Sequence, residues 1–221
     1  IIFFATAFDF ESADFLNNEI DLPAFKIASG DILNLPLIEY VSKFNKPIIL
    51  STGCSTMKDV IDAYNVLKKK SNNFAILQCT ASYPCKTEEL NLNVINSFKK
   101  RFKNILVGLS SHHNGISQEI VAYMLGARIF EKHFTLNRSL KGTDHSFSLT
   151  PLGLSKLIRD IKRIPISLGS SNKKPINSEE KPVHKMRKSI VAAKNLKKYD
   201  IIKHNDVLFK CPGNGLPPKD I

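Results

Sequence analysis

Short apolar runs alternate with amphipathic stretches along most of this chain. The runs at 2–6, 24–28, 47–51, 74–79, 105–109 and 127–133 begin 22 to 31 residues apart. Each is short, rich in Ile, Val, Leu and Phe, and bounded by turn residues, which is the signature of a strand buried on both faces. Helical periodicity fills the gaps. The segment Ser55-Thr-Met-Lys-Asp59 opens a helix that places Val60, Ala63, Val66 and Leu67 on one face and closes on Lys68-Lys-Lys70. Stretches 92–102, 117–124 and 152–164 behave alike. Strand–helix alternation at this period predicts parallel βα units.

Polar residues end nearly every predicted strand: Thr6, Lys26 and Ser29, Ser51 and Thr52, Thr80, Ser110 and His112, Glu131 and His133. An open doubly wound sheet would gather such residues at one switch point, whereas a closed barrel spreads them over all its strand ends. The predicted fold is therefore α/β, a (β/α)8 TIM barrel of which six of eight units are present. The run at Ile1-Ile-Phe-Phe4 reads as a chain entered in mid-strand, so the first two units are expected upstream. The expected domain spans 1–168. A polar, turn-rich linker follows at 169–185. A second, C-terminally incomplete β-rich domain is expected over 186–221, with short β patterns at 188–193, 201–202 and 207–210.

Composition narrows the class. No apolar window is long enough to span a membrane, and no signal peptide is read. Four cysteines without a CxxC pair or a regular framework suit reduced thiols in a cytoplasmic protein. The net charge of +12 is uneven: residues 1–60 carry eight acids and four bases, and the remainder twelve and twenty-eight. Such a field can attract nucleic acid or a phosphorylated or carboxylated small molecule. The lysines, however, lie on helix-like faces and in C-terminal linkers without interleaved aromatics, so they read as a solvated surface rather than a nucleic-acid patch.

Gly108-Leu-Ser-Ser-His-His113 and Glu131-Lys-His-Phe-Thr135 deliver histidines at consecutive strand ends, where two neutral imidazoles can share one divalent cation. Alternation puts Glu131 on the face of His133, a place suited to a general base. His113 competes with His112 as ligand, although adjacent residues point apart, and His145 is a possible third. Lys26 can bind an anion or form a Schiff base. Ser51-Thr-Gly53 adds hydroxyls and an approachable backbone, and Cys79 reads as core rather than nucleophile.

Five motifs resemble the N-acetylneuraminate (sialic acid) synthase family: Phe25-Lys-Ile-Ala-Ser-Gly-Asp31, Ile49-Leu-Ser-Thr-Gly53, Cys79-Thr-Ala-Ser-Tyr-Pro84, Glu131-Lys-His-Phe-Thr-Leu136 and Lys141-Gly-Thr-Asp-His-Ser-Phe-Ser-Leu149. Arg187-Lys-Ser-Ile-Val-Ala192 and Pro212-Gly-Asn-Gly215 resemble that family's C-terminal antifreeze-like (SAF) domain. The resemblance implies condensation of phosphoenolpyruvate with N-acetylmannosamine or a related sugar, with Mn²⁺ or Mg²⁺ as cofactor. By residue, it implies His112 and His133 as metal ligands, and Thr6, Lys26, Ser29, Ser51, Tyr83 and Ser110 around phosphoenolpyruvate. It further implies Glu131 beside the reacting carbons, Asp144 on the sugar and Arg187 in the site of a partner subunit, within a domain-swapped homodimer. Ser111 stands where many members carry aspartate, and Ala81 where asparagine or serine often occurs. The alternatives are a legionaminate or pseudaminate synthase and a truncated, non-catalytic anion-binding copy.

Overall fold

The computed structural model describes residues 1–70 and 73–221, in two compact units, Ile1–Leu168 and Gly169–Ile221. In the first unit, strands β1 (Ala5–Thr6), β2 (Phe25–Ile27), β3 (Ile48–Ser51), β4 (Phe74–Cys79), β5 (Leu106–Ser111) and β6 (Ile129–Lys132) form one parallel sheet. Helices α1 (Phe10–Asn18), α2 (Leu35–Ser42), α3 (Met57–Lys70), α4 (Val94–Arg101) and α5 (Ser117–Leu125) make the crossovers, with α6 (Pro151–Leu168) after β6. The strands lie in sequence order with no reversal, so there is no switch point. Crossovers of one hand then set the helices on one face and leave the other face to itself. The sheet is curled into a partial barrel.

Strand alternation divides the labour between the two faces. Register aligns Thr6 with Lys26, Lys26 with Ile49, Ser51 with Leu77, Cys79 with Ser110, and Ser110 with Glu131. Register partners share a face, so these residues line the inner side. Their neighbours Phe25, Ile27, Leu50, Ile76, Val107 and Leu109 point outward and pack with Leu37, Ile38, Val60, Leu67, Ile95 and Phe98 of the helices. The main core therefore sits outside the sheet. Each such buried side chain contributes roughly 1.5–3 kcal/mol, which leaves the inner face free for chemistry.

Local signals set the boundaries. Asp9 caps α1 by accepting from Ser12 N at 2.6 Å, and Thr56 and Asp59 cap α3 reciprocally, with Asp59 Oδ2 accepting from Thr56 N at 2.7 Å. Gly126, at φ 108°, ends α5 in the left-handed conformation. The expected strand at 2–6 forms only at Ala5–Thr6, because continuing its register would set Phe3 opposite Pro23, which has no N–H to give. The helix expected at 152–164 runs to Leu168 and carries Pro165 inside it.

The second unit pairs β7 (Ser189–Ala192) with β8 (Val207–Lys210), antiparallel, after helix α7 (Glu180–Met186). Two expectations are corrected here. The stretch read as linker ends in α7, where Pro182 is tolerated because the first turn needs no N–H there. Ile201 and Ile202 form no strand and are exposed. Among the described residues of this unit only Ser189 and Asp206 are buried, and both are polar.

Gly108 of β5 has no room for a side chain: an added Cβ would overlap the Ile129 carbonyl and the Leu77 side chain. Gly108→Ala is expected to destabilise the first unit by about 1–3 kcal/mol, measured as a lower urea midpoint at unchanged slope.

Candidate active site

The inner-face polar residues converge at the C-terminal ends of the strands. Lys26 of β2 donates to the Ile27 carbonyl at 3.0 Å and lies 3.6 Å from Glu131 Oε2 of β6. Ser110 of β5 donates to the other Glu131 oxygen at 2.7 Å. Lys26 is only 8% exposed, and burial pulls its ammonium below the usual lysine value, against the opposing pull of Glu131. Ser51, 2% exposed on the same face, has a hydroxyl without a hydrogen-bond partner among the described residues. Such an orphaned buried group costs stability unless a ligand satisfies it. Thr6 sits level with Lys26 in the register, and Ser29 accepts from Gly53 N at 2.9 Å, tying the turn after β2 to that after β3.

Beyond this lysine–carboxylate pair, at the ends of β5 and β6, stand two imidazoles. The β5–β6 ladder ends at Ser111 opposite Lys132, so His112 and His133 are each the first residue beyond it. Their ring centroids are 5.2 Å apart, and Tyr83 lies 4.1 Å from His112 and 5.7 Å from His133. His112 Nδ1 is 2.9 Å from the Thr80 carbonyl, which can only accept; the proton is therefore on Nδ1 and the lone pair on Nε2. His133 Nδ1 faces Asp144 Oδ2 at 3.3 Å, which favours the same tautomer. Burial pushes both imidazoles below the usual histidine value, and for His133 the neighbouring His112 adds to this. Both rings are thus neutral, oriented by outer partners and able to ligate. Among the described residues no group of three or more His, Cys, Asp or Glu is arranged to hold a metal. A cation here would take two nitrogens from the protein and keep its other positions for water or substrate.

Other expected residues fall elsewhere. His113, the competing ligand, turns to the helix side, where Ser111 Oγ lies 2.5 Å from its Nδ1. His145, the possible third ligand, has its Nδ1 2.7 Å from Thr135 Oγ1. Cys79 is buried on the inner face, and all four thiols are free. Arg187 belongs to the second unit, between α7 and β7. Sequence reasoning missed Lys132 and Glu119. The signal was available: between inward Glu131 and His133, Lys132 must face the apolar side, and a lysine buried there needs a partner.

Residues 1–173 match the NeuB family model. The chain is 43% identical over 219 residues to the N,N'-diacetyllegionaminic acid synthase of Campylobacter jejuni, covering 98% of this chain and 65% of that protein. It is 36% identical over 222 residues to the human N-acetylneuraminate-9-phosphate synthase, covering 100% of this chain and 62% of that one. A solved N-acetylneuraminic acid (sialic acid) synthetase of Leptospira borgpetersenii, in complex with citrate, superposes with a TM-score of 0.74 at 36% identity, over 83% of this chain and 64% of that chain. The chain thus spans less than two thirds of the length of these relatives.

Two buried histidines and the half-buried His133 make stability depend on pH. His112, His113 and His133 are all held below the usual value of 6.5 by burial. As pH falls through that value the unfolded chain takes up protons before the folded one does, so folding loses free energy. The melting temperature is expected to decline from pH 7.5 to 5.5 in differential scanning calorimetry. Replacing the three histidines by glutamine should flatten that decline.

Proposed function

Because the chain belongs to the NeuB family, we propose that it carries the condensing site of a nonulosonic acid synthase. The substrates are phosphoenolpyruvate and the open-chain aldehyde of an N-acetylated hexosamine such as N-acetylmannosamine. The observation that carries this reading is the polar cluster on the inner face. A buried lysine and an unpartnered serine hydroxyl lie on the same face as Glu131, with two neutral imidazoles at the ends of β5 and β6.

Lys26, Ser51, Ser29 and Ser110 hold the phosphate and carboxylate of phosphoenolpyruvate, with Thr6 and Tyr83 at the margins; charge-assisted contacts of this kind are the strong ones. His112 and His133 would hold a divalent cation, Mn²⁺ or Mg²⁺, which when bound polarises a carbonyl oxygen as a Lewis acid. The enol carbon of phosphoenolpyruvate forms a C–C bond to the aldehyde carbon as the C=O π bond breaks, and the aldehyde oxygen takes up a proton to become a hydroxyl. Water adds to the carbon bearing phosphate, and the C–O bond to phosphate then breaks, so atoms balance with no redox partner. Glu131, set by Ser110 on one oxygen and Lys26 near the other, orients that water and takes its proton. Lys26 forms no Schiff base in this scheme; its place beside Glu131 is electrostatic. Asp144 orients His133 and, at the rim, meets the sugar hydroxyls.

The acceptor is the open choice within this class. The identity of 43% to the Campylobacter jejuni enzyme favours a legionaminic-type product as the second reading, with a pseudaminic-type product as its variant. The second unit is proposed as an SAF segment that lends Arg187 to a partner's site in a homodimer, in a cytoplasmic setting. The motif order after residue 186 supports this, as do its exposed apolar side chains Ile201, Leu208, Phe209 and Leu216.

Three measurements test the reading. His112→Ala and His133→Ala are each expected to weaken Mn²⁺ binding at least tenfold, read by calorimetric titration, with unchanged far-ultraviolet circular dichroism. Lys26→Ala is expected to weaken phosphoenolpyruvate binding roughly 10- to 100-fold, the loss of a charged hydrogen bond. Phosphate release is then assayed with phosphoenolpyruvate and a panel of N-acetylated hexosamines. Release with none of them would sink the synthase reading and leave an anion-binding chain.

A further inference from the structure

We infer that Glu119 is a positioning residue: its carboxylate, delivered from α5, is the counter-charge that lets Lys132 sit buried and tie the outgoing ends of β5 and β6 together.

The ladder between these strands stops at Ser111 opposite Lys132, one residue short of both His112 and His133. Beyond that point the backbone must be held by other means. Cys85 N donates to the His112 carbonyl at 3.1 Å, and Leu149 N to the His133 carbonyl at 2.8 Å. The link from β6 to the extension of β5 is a side chain: the Lys132 ammonium donates to the His113 carbonyl at 2.8 Å. An ammonium in that place is expensive unless a carboxylate accompanies it. Glu119 is 0% exposed in the first turn of α5, with Oε1 at 3.2 Å from Lys132 Nζ. Its Oε2 lies 3.7 Å from His113 Nε2. Neither Glu119 oxygen receives a well-directed hydrogen bond among the described residues, so the attraction is Coulombic. A fully buried glutamate on the core-facing side of a helix is costly where an apolar residue would pack freely, and Lys132, with His113 beside it, is the charge that offsets that cost.

Charge at position 111 would serve the same purpose. Ser111 is the register partner of Lys132, and its hydroxyl lies 3.4 Å from Nζ and 2.5 Å from His113 Nδ1. An aspartate there would reach the ammonium from the strand, as Glu119 does from the helix. The network needs one carboxylate, and its source is interchangeable. That separates a charge role from a packing role.

The test uses the full chain and two variants. Glu119→Gln keeps the shape and removes the charge. It is expected to lower the melting temperature by roughly 6 °C or more, since one partner of a buried pair is left alone. It should also weaken Mn²⁺ binding about tenfold, because the strand ends that carry the two imidazoles lose their tie. Ser111→Asp combined with Glu119→Gln is expected to recover most of both losses. A Glu119→Gln variant with the parent's melting temperature would overturn the inference, and so would a double variant no better than the single one. The consequence for Mn²⁺ rests on the metal reading of His112 and His133 proposed above; the thermal readout does not. If the parent binds no Mn²⁺ yet the thermal loss and rescue occur, the metal reading fails while the assignment of Glu119 stands.

Discussion

Lys26 and Glu131 are four strands apart in the sheet and yet meet at 3.6 Å. In a flat parallel sheet four strand spacings amount to about 19 Å. The pair exists only because the sheet curls, and it closes a polar circuit across the concave face. The β5–β6 contacts would form in a flat sheet, but the union of β2 with them depends on that curvature. It brings the β2 cation to the β6 carboxylate, which Ser110, its register partner on the neighbouring strand, already holds, and the Ser51 hydroxyl lies buried and unpartnered on the same face among the described residues.

Curvature is useful only because strand alternation has already sorted the side chains. The outward residues of β2 to β5 carry the main apolar core against the helices, so the inner face is spared that duty. The sorting is enforced residue by residue. Glu131 and His133 look inward while Lys132 between them looks outward, and His112 and His113 part in the same way. One consequence is that the candidate site has an electrostatic back wall. Glu119, Lys132 and His113 occupy the helix side of the same two strands that present the imidazoles on the inner side.

Much of this was legible in the residues. The six apolar runs matched six strands, and their spacing implied parallel crossovers. Polar residues at successive strand ends argued for a barrel-type arrangement over a doubly wound one, and the unbroken strand order agrees. Where expectation failed, the cause was local. Pro23 stops the first strand from lengthening, and the linker ends in α7, which admits Pro182 in its first turn. The run at Ile201-Ile202 has β-branched residues but no partner strand to pair with. Glu119 escaped notice because one glutamate in the first turn of a helix is ordinarily a solvated, dipole-favoured residue.

The sequence by itself determined the number and order of the strands, the face on which each side chain falls, and the residue types that can do chemistry there. These follow from periodicity, which is a property of neighbours along the chain. Only the tertiary structure decided which of those residues touch. The tautomers of His112 and His133 come from the Thr80 carbonyl and Asp144, and the company of Lys26 from a strand a hundred residues away. The burial of Glu119 comes from how α5 packs on β5 and β6. Those contacts are set by curl and packing between distant segments, for which local sequence pattern has no term.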